Sequence, residues 1–260
     1  MSEFIPKKSL GQHWLYDTVV LDGIVDEAII KPTDTVIEIG PGLGTLTERL
    51  LATGAKVIAV EFDESLLGGL RAKFSAQPNF SLINEDILKF DFTALTDYKI
   101  VANIPYYLTS QLLRIIGDSS CKPDTAVLLV QKEVAERVCA QPPDMSILSV
   151  AVQLEFTADL GDLIPAKLFT PAPKVDSQVL ILHKREEPLF KELIKKDFMR
   201  IVKAGFSGKR KILRNTLSAG LAITKEEAEE LLQKAGIDMG LRAEALSLQE
   251  WYKLYCLHKA

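Results

Sequence analysis

Residues 35–45 read Thr35-Val36-Ile37-Glu38-Ile39-Gly40-Pro41-Gly42-Leu43-Gly44-Thr45. A short β-branched run followed by alternating glycines is the pattern of a buried strand turning sharply into a helix. Glycine at such a turn lets a ligand approach the backbone, and the helix start beyond it offers unpaired N–H groups. A dinucleotide fingerprint is spaced G-x-G-x-x-G, and where its third glycine would fall this chain has Thr45. Alternating glycines suit a nucleoside ligand without a pyrophosphate.

Outward from this turn, short apolar runs alternate with longer amphipathic stretches. Strands are expected at 35–40, 56–61 (KVIAVE), 80–84 (FSLIN), 99–102 (KIVA) and 125–130 (TAVLLV), with helices between them. Such alternation implies an α/β fold with a parallel sheet. Glu61 ends the second of these strands and can accept hydrogen bonds from both ribose hydroxyls of a nucleoside. Asp86 follows the third and can accept from an adenine amino group. Open α/β sheets place ligands at the carboxyl ends of their strands, where both acids lie; each alone could equally cap the helix that follows. Further on, 177–183 (SQVLILH) reads as a strand with no helix between it and a partner near 156–164, so an antiparallel hairpin should close one sheet edge.

The fourth strand runs into Asn103-Ile104-Pro105-Tyr106. The exocyclic N6 amine of adenine is a poor nucleophile, because its lone pair is delocalised into the ring, and alkylation makes the nitrogen transiently cationic. A site that helps this reaction presents acceptors to the N6 hydrogens as charge develops. The Asn103 side-chain oxygen and the Ile104 carbonyl can both do so; Pro105 stiffens the turn and adds no competing N–H. Tyr106 offers a face for an extruded base, a contact typically contributing ~1 to 3 kcal/mol.

From Pro188 the pattern turns helical and rich in Lys, Glu and Leu. Helices are expected at 190–203, 209–219, 225–235 and 247–256. Thr224 reads as an N-cap with acids in the first turn, and Ser247 with Glu250 as a capping box. The implied organisation is a catalytic α/β domain over 1–187 and a small helical domain over 188–260. The net charge of −4 argues against a nucleic-acid partner, but Lys209, Arg210, Lys211 and Arg214 cluster within S-G-K-R-K-I-L-R-N without an acid, and Lys7 and Lys8 form a smaller group. Local clusters of this kind create phosphate-attracting fields, although such a run can also be a solvated helix face, and one of the four could be structural, paired with an acid of the catalytic domain. Cys121, Cys139 and Cys256 lie far apart with no CxxC, which supports neither a disulfide framework nor a zinc site. No basic-then-apolar leader and no run of ~18 to 20 apolar residues is present, so a soluble, cytoplasmic chain with no membrane partner is expected.

Taken together, Ser9-Leu10-Gly11-Gln12-His13-Trp14-Leu15, the glycine turn, Glu61, Asp86 and Asn103–Tyr106 resemble the KsgA-type small-subunit rRNA adenine dimethyltransferases. Phe169-Thr170-Pro171-Ala172-Pro173-Lys174-Val175-Asp176-Ser177 and the stretch from Phe206 to Leu217 extend the likeness to nearly the whole chain. The resemblance implies a seven-stranded methyltransferase sheet with a C-terminal helical domain, S-adenosylmethionine as methyl donor and no metal. Its donor site would comprise His13, Leu15, Gly40, Gly42, Gly44, Glu61, Asp86 and Asn103, with Lys209, Arg210, Lys211 and Arg214 on the RNA. The implied substrate is a pair of adjacent adenosines in the 3′-terminal hairpin loop of small-subunit rRNA, dimethylated at N6 by a monomer acting on a subunit precursor.

Two departures stand out. Trp14 replaces the family's usual Phe, and the loop after Val134 reads Cys139-Ala140-Gln141-Pro142-Pro143-Asp144-Met145-Ser146, shorter than usual and lacking a Tyr-Gly pair. Three other readings stay open: a large-subunit rRNA dimethyltransferase of the macrolide-resistance type, a non-catalytic assembly factor keeping the fold, and, disfavoured by the glycine spacing, an NAD-dependent oxidoreductase.

Overall fold

The computed structural model describes residues 12–259; Lys7, Lys8 and Ser9–Gly11 of the motifs above lie outside them. Nine strands occur among the described residues: β1 (Trp14–Leu15), β2 (Thr35–Ile39), β3 (Lys56–Glu61), β4 (Phe80–Asn84), β5 (Tyr98–Asn103), β6 (Thr125–Gln131), β7 (Phe156–Ile164), β8 (Phe169–Thr170) and β9 (Ser177–Lys184). Seven of them form one sheet in the order β4-β3-β2-β5-β6-β9-β7, while β1 and β8 pair separately. The expected strands are all present, and the resemblance's seven-stranded sheet is observed.

Strands β4, β3, β2, β5 and β6 run parallel, and β9 is antiparallel to both β6 and β7. Central β6 is buried along six consecutive residues, as a strand covered on both faces must be. Edge strand β7 carries exposed Leu160 and Leu163 and shifts register between them, a local irregularity of the kind that blunts an edge against further pairing. The chain builds β2, β3 and β4 outward and then returns to lay β5 on the other side of β2. The crevice between the carboxyl ends of β2 and β5 is therefore the topological switch point, where such sheets bind ligands.

Ten helices accompany the strands among the described residues: α1 (Thr18–Glu27), α2 (Thr45–Ala52), α3 (Glu64–Lys73), α4 (Thr109–Asp118), α5 (Lys132–Cys139), α6 (Ile147–Gln153), α7 (Lys195–Gly205), α8 (Leu213–Leu221), α9 (Lys225–Ala235) and α10 (Leu248–Lys259). No helix among the described residues is long and apolar enough to cross a membrane.

The chain divides into two compact units, one of residues 1–136 and 156–184 and the other of 137–155 and 185–260. The first buries Val36, Leu50, Val57, Val101, Val127 and Val179 in one core. In the second, Met145, Val150 and Leu154 join the core of Phe198, Leu217 and Trp251. The single boundary at 187/188 expected above is thus corrected: 137–155 leaves the sheet unit because its apolar side chains are buried among the C-terminal helices. Helices in this unit pack closely; a Cβ on Gly205 would stand 2.3 Å from the Trp251 ring.

Thr224 and Glu227 form a reciprocal capping box, as do Ser247 and Glu250. Two helix starts differ from expectation. α7 begins at Lys195, not at 190, because Leu189, Phe190 and Leu193 fold as a non-helical segment onto the core, with Phe190 stacked on Tyr252 at 4.0 Å. α8 begins at Leu213 after a turn closed by Lys211 N–H donating to Gly208 O, 2.9 Å, and an extended Ile212. Lys209, Arg210 and Lys211 are consequently exposed on a turn and share no helical face with Arg214.

Candidate active site

Gly40, Gly42 and Gly44 all adopt left-handed φ, of 65°, 57° and 75°. That conformation explains the alternation, since other side chains enter it at a cost. The turn is tied down on both sides: Gly40 N–H donates to Val60 O at 2.9 Å and Gly44 N–H to Pro41 O at 2.8 Å. Lys73 on α3 reaches the carbonyls of Leu43 and Gly44 at 3.0 and 3.3 Å. Under the turn, Thr47 donates to Glu38 Oε2 at 2.6 Å, joining β2 to α2. Burial pushes the Glu38 carboxyl up to about 8, against the opposing Thr47 hydrogen bond. It therefore carries a proton at neutral pH.

A cavity of about 260 Å³ opens at the switch point, and His13, Trp14, Gly40, Gly42, Glu61, Asp86 and Asn103–Tyr106 all line it. Glu61 accepts from Gly42 N–H at 3.2 Å and Asp63 N–H at 2.8 Å. The residue is 6% exposed; burial raises its pKa, while the Asp63 and Gly42 N–H groups pull it back down. The Phe62 N–H acts on the same carboxylate, whose remaining lone-pair capacity is available to a ligand hydroxyl. Asp86 Oδ1 accepts from Leu88 N–H at 3.0 Å, and Oδ2 has no partner among the described residues.

Across the cavity, Asn103 donates through Nδ2 to His13 O at 3.2 Å. That bond fixes the amide so that Oδ1 faces away from His13 as a pure acceptor. Ile104 buries its side chain and donates its N–H to Leu129 O at 3.2 Å, while its carbonyl receives no backbone donor among the described residues. Tyr106 shares a 2.8 Å hydrogen bond with Ser177 and lies against the His13 ring at 5.7 Å. Two acceptors, an aromatic face and two carboxylates thus line one cavity.

The family described as ribosomal RNA adenine dimethylase matches residues 4–259. The chain belongs to the ribosomal RNA adenine dimethylase family. This dimethylase is an S-adenosylmethionine-dependent methyltransferase with rRNA as its substrate. It is 44% identical to the ribosomal RNA small subunit methyltransferase A of Dehalococcoides mccartyi strain CBDB1, over 98% of this chain and 88% of that protein. The protein of the same name from Clostridium botulinum strain Kyoto is 39% identical over 97% and 94%. Among solved structures, a dimethyladenosine transferase from Plasmodium falciparum superposes with a TM-score of 0.80 at 26% identity, covering 93% of this chain and 96% of that one. The 23S rRNA methyltransferase ErmE superposes at 0.78 with 27% identity, over 95% and 100%.

Two residues anticipated for the donor site lie outside the cavity of the dimethylase. Leu15 is 1% exposed and pairs with Phe169 between β1 and β8. Gly44 faces Phe74, whose ring a Cβ there would meet at 2.6 Å. Both shape the turn from behind. Conversely, Phe62 and Tyr107 line the cavity while 59% and 56% exposed, large aromatics left at a mouth where a ligand would cover them. The signal for Phe62 was available, as an aromatic directly after the strand-end acid; nothing local marked Tyr107. Trp14 sits beside Gly42, and its indole N–H is buried with no partner among the described residues. An unpaired buried donor, a buried carboxylate and an apolar rim fit the polar and adenosyl parts of S-adenosylmethionine.

Lys209, Arg210 and Lys211 are exposed in the second unit, whereas Arg214 is half-buried and forms an ion pair with Glu229 of α9. The acid expected in the catalytic domain is thus found in the helical unit, because α8 and α9 are neighbours in the same bundle.

Proposed function

We propose that this chain transfers methyl groups from S-adenosylmethionine to N6 of two adjacent adenosines in the 3′-terminal hairpin loop of small-subunit rRNA, giving N6,N6-dimethyladenosine during ribosome biogenesis. The observation that carries this reading is the fixed Asn103 amide, whose Oδ1 is left as an acceptor beside the Ile104 carbonyl and Tyr106. The small-subunit preference is supported by relatives bearing that name at 39–44% identity over nearly the full chain, against 27% for the 23S enzyme.

In this reading Glu61 binds the ribose hydroxyls of the donor, Asp86 its adenine amine, and Phe62 covers the adenine ring. His13, Gly40 and Gly42 border the same space. When bound, S-adenosylmethionine supplies a methyl group on a sulfonium, already an activated electrophile that requires no metal. In the first transfer Asn103 Oδ1 and the Ile104 carbonyl accept the two N6 hydrogens, and in the second the one that remains; they stabilise the positive charge as the N–CH3 bond forms and the donor's S–CH3 bond breaks, S-adenosylhomocysteine being the leaving group and the surplus proton passing to solvent. Tyr106 holds the extruded base by stacking. Acceleration comes from positioning and preorganised acceptors rather than a covalent intermediate.

The first unit is the catalytic domain in this proposal, and the second binds rRNA through the exposed turn of Lys209, Arg210 and Lys211. The protein works as a cytoplasmic monomer on a small-subunit precursor. Mass spectrometry of nuclease digests tests this, after purified enzyme and donor are incubated with small- and large-subunit rRNA separately. Dimethyladenosine at two adjacent positions of the small-subunit RNA is expected. Product confined to the large-subunit RNA would favour the macrolide-resistance type, and no product on either would favour an assembly factor.

A further inference from the structure

Tyr106 and Tyr107 are neighbours in one turn and are held differently. A single 3₁₀ turn, Tyr106–Leu108, is closed by Leu108 N–H donating to Pro105 O at 2.9 Å. With three residues per turn, successive side chains leave it about 120° apart, so the two rings point to different parts of the cavity that both line. Tyr106 is tied by its 2.8 Å hydrogen bond with Ser177 and lies against the His13 ring. Tyr107 has no hydrogen-bond partner among the described residues and stands more than half exposed at the mouth.

Charge marks where each hydroxyl lies. Burial raises the Tyr106 hydroxyl pKa, the Ser177 hydrogen bond opposes this, and the charge acting on it is that of Asp176. Burial also raises the Tyr107 pKa, but the charges that add to it are those of Asp86 and then Glu61. Tyr107 therefore leans over the two carboxylates, toward Asp86 first. In the sheet, β3 and β5 flank β2 on opposite sides. Phe62 follows β3 and Tyr107 follows β5, so the two exposed aromatics of the mouth reach the cavity from opposite sides of β2. A planar heterocycle lying between them would cover ring surface that is otherwise left to water.

We propose that Tyr107 is a donor-binding residue whose ring covers the adenosine of S-adenosylmethionine from the side of β2 opposite Phe62, so that the two aromatics close the mouth over a nucleoside held by Glu61 and Asp86. This rests on the assignment of Glu61 and Asp86 to the donor given under Proposed function. S-adenosylhomocysteine carries the same adenosine, so Tyr107 holds product and donor alike, and the exchange of one for the other between two methylations has to pass it.

The test compares wild type with Tyr107→Ala and Tyr107→Phe by calorimetry, with thermal unfolding to check the fold. Three probes are used: S-adenosylmethionine, S-adenosylhomocysteine and 5′-methylthioadenosine, which keeps the adenosine and lacks the amino-acid end. Tyr107→Ala should weaken all three by a similar factor of about ten, the scale of one base–aromatic stack, while Tyr107→Phe should bind each within about twofold of wild type. Unchanged affinity in Tyr107→Ala would overturn the proposal, as would a loss confined to the two probes that carry the amino-acid end. An equal loss in Tyr107→Phe would make the hydroxyl the contact and overturn the covering role of the ring. Should the alanine variant fail to fold, Tyr107→Leu, which keeps bulk without an aromatic face, takes its place under the same criteria. Glu61→Ala run alongside separates the two levels: if it binds S-adenosylmethionine as wild type does, the donor assignment fails, whatever Tyr107 does.

Discussion

In the first unit Glu61 is almost wholly buried and holds two backbone N–H groups, and Asn103 is fixed by His13. In the second, Lys209, Arg210 and Lys211 stand exposed on a turn, and the one arginine nearby that is half-buried, Arg214, is already paired with Glu229. The cavity is preorganised: Glu61 is desolvated and Asn103 is hydrogen-bonded in place before any ligand arrives, so they act at close range in a setting less screened than open solvent. In the proposed function the basic turn acts through solvent, where attraction to phosphate is diffuse, screened by salt and tolerant of geometry. On that proposal the chain separates chemistry from grip, and substitutions in the two places should fail differently.

The largest effect is expected at Glu38, whose burial is part of that preorganisation. Its folded pKa of about 8 stands above the ordinary carboxylate value, so folding favours the protonated form. Its contribution to stability is fully present below about pH 4.5 and is lost as pH rises to about 8, at roughly 1.4 kcal/mol per unit. Glu38→Gln removes this titration, so the variant should gain on wild type by a few kcal/mol across that window in urea unfolding. Parallel stability curves would mean that Glu38 is ionised and the interior of the turn is more polar than its burial implies.

Next comes Asn103→Ala. Donor affinity should stay within about tenfold, while single-turnover methylation falls by ~10² or more, because the missing acceptor acts chiefly in the transition state. A near-normal rate would move the charge stabilisation away from the Asn103 amide and blunt the contrast at its sharpest point.

Glu61→Ala and Asp86→Ala should each weaken S-adenosylmethionine binding by roughly 1 to 3 kcal/mol, read by calorimetry. Unchanged affinity in both would place the donor elsewhere in the cavity. Glu61→Ala should show the larger loss, since it also frees the Gly42 and Asp63 N–H groups.

The smallest per-residue effect belongs to the basic turn. Changing Lys209, Arg210 and Lys211 together to Ala should leave donor Kd unaltered and flatten the slope of log RNA affinity against log salt by roughly two to three, about one for each phosphate no longer neutralised. Arg214→Ala should instead lower the stability of the second unit by less than about 1 kcal/mol with little change in that slope. An unchanged slope in the triple variant would show the turn to be a solvated surface only.

Much of this was legible without coordinates. Strands 56–61 and 80–84 were placed to the residue, and the hairpin partner expected near 156–164 lies there, because apolar β-branched runs bounded by turn residues report a local preference. Glu61, Asp86 and Asn103 were legible for a related reason: a parallel sheet delivers its strand ends to one edge, so residues distant in the chain converge once the strands are known. The glycine turn announced itself through φ values that other residues avoid.

What the chain's local pattern could not carry was the set of contacts made between distant segments. The pairing of β1 with β8 sets His13 beside Pro171 and hides Leu15, and two-residue strands leave no periodicity to read. The assignment of 137–155 to the helical unit depends on which apolar faces meet, since an amphipathic stretch says that it will be buried but not against what. Turn geometry at Gly208–Ile212 took the basic residues off the helix expected for them. Glutamate at position 38 reads as a charge in the sequence, and only its burial beside Thr47 and close to Glu61 makes it a neutral acid. Sequence thus determined which elements form and which residues stand at their ends; tertiary packing decided which of those ends are dry, and dryness is what sets charge state and aim.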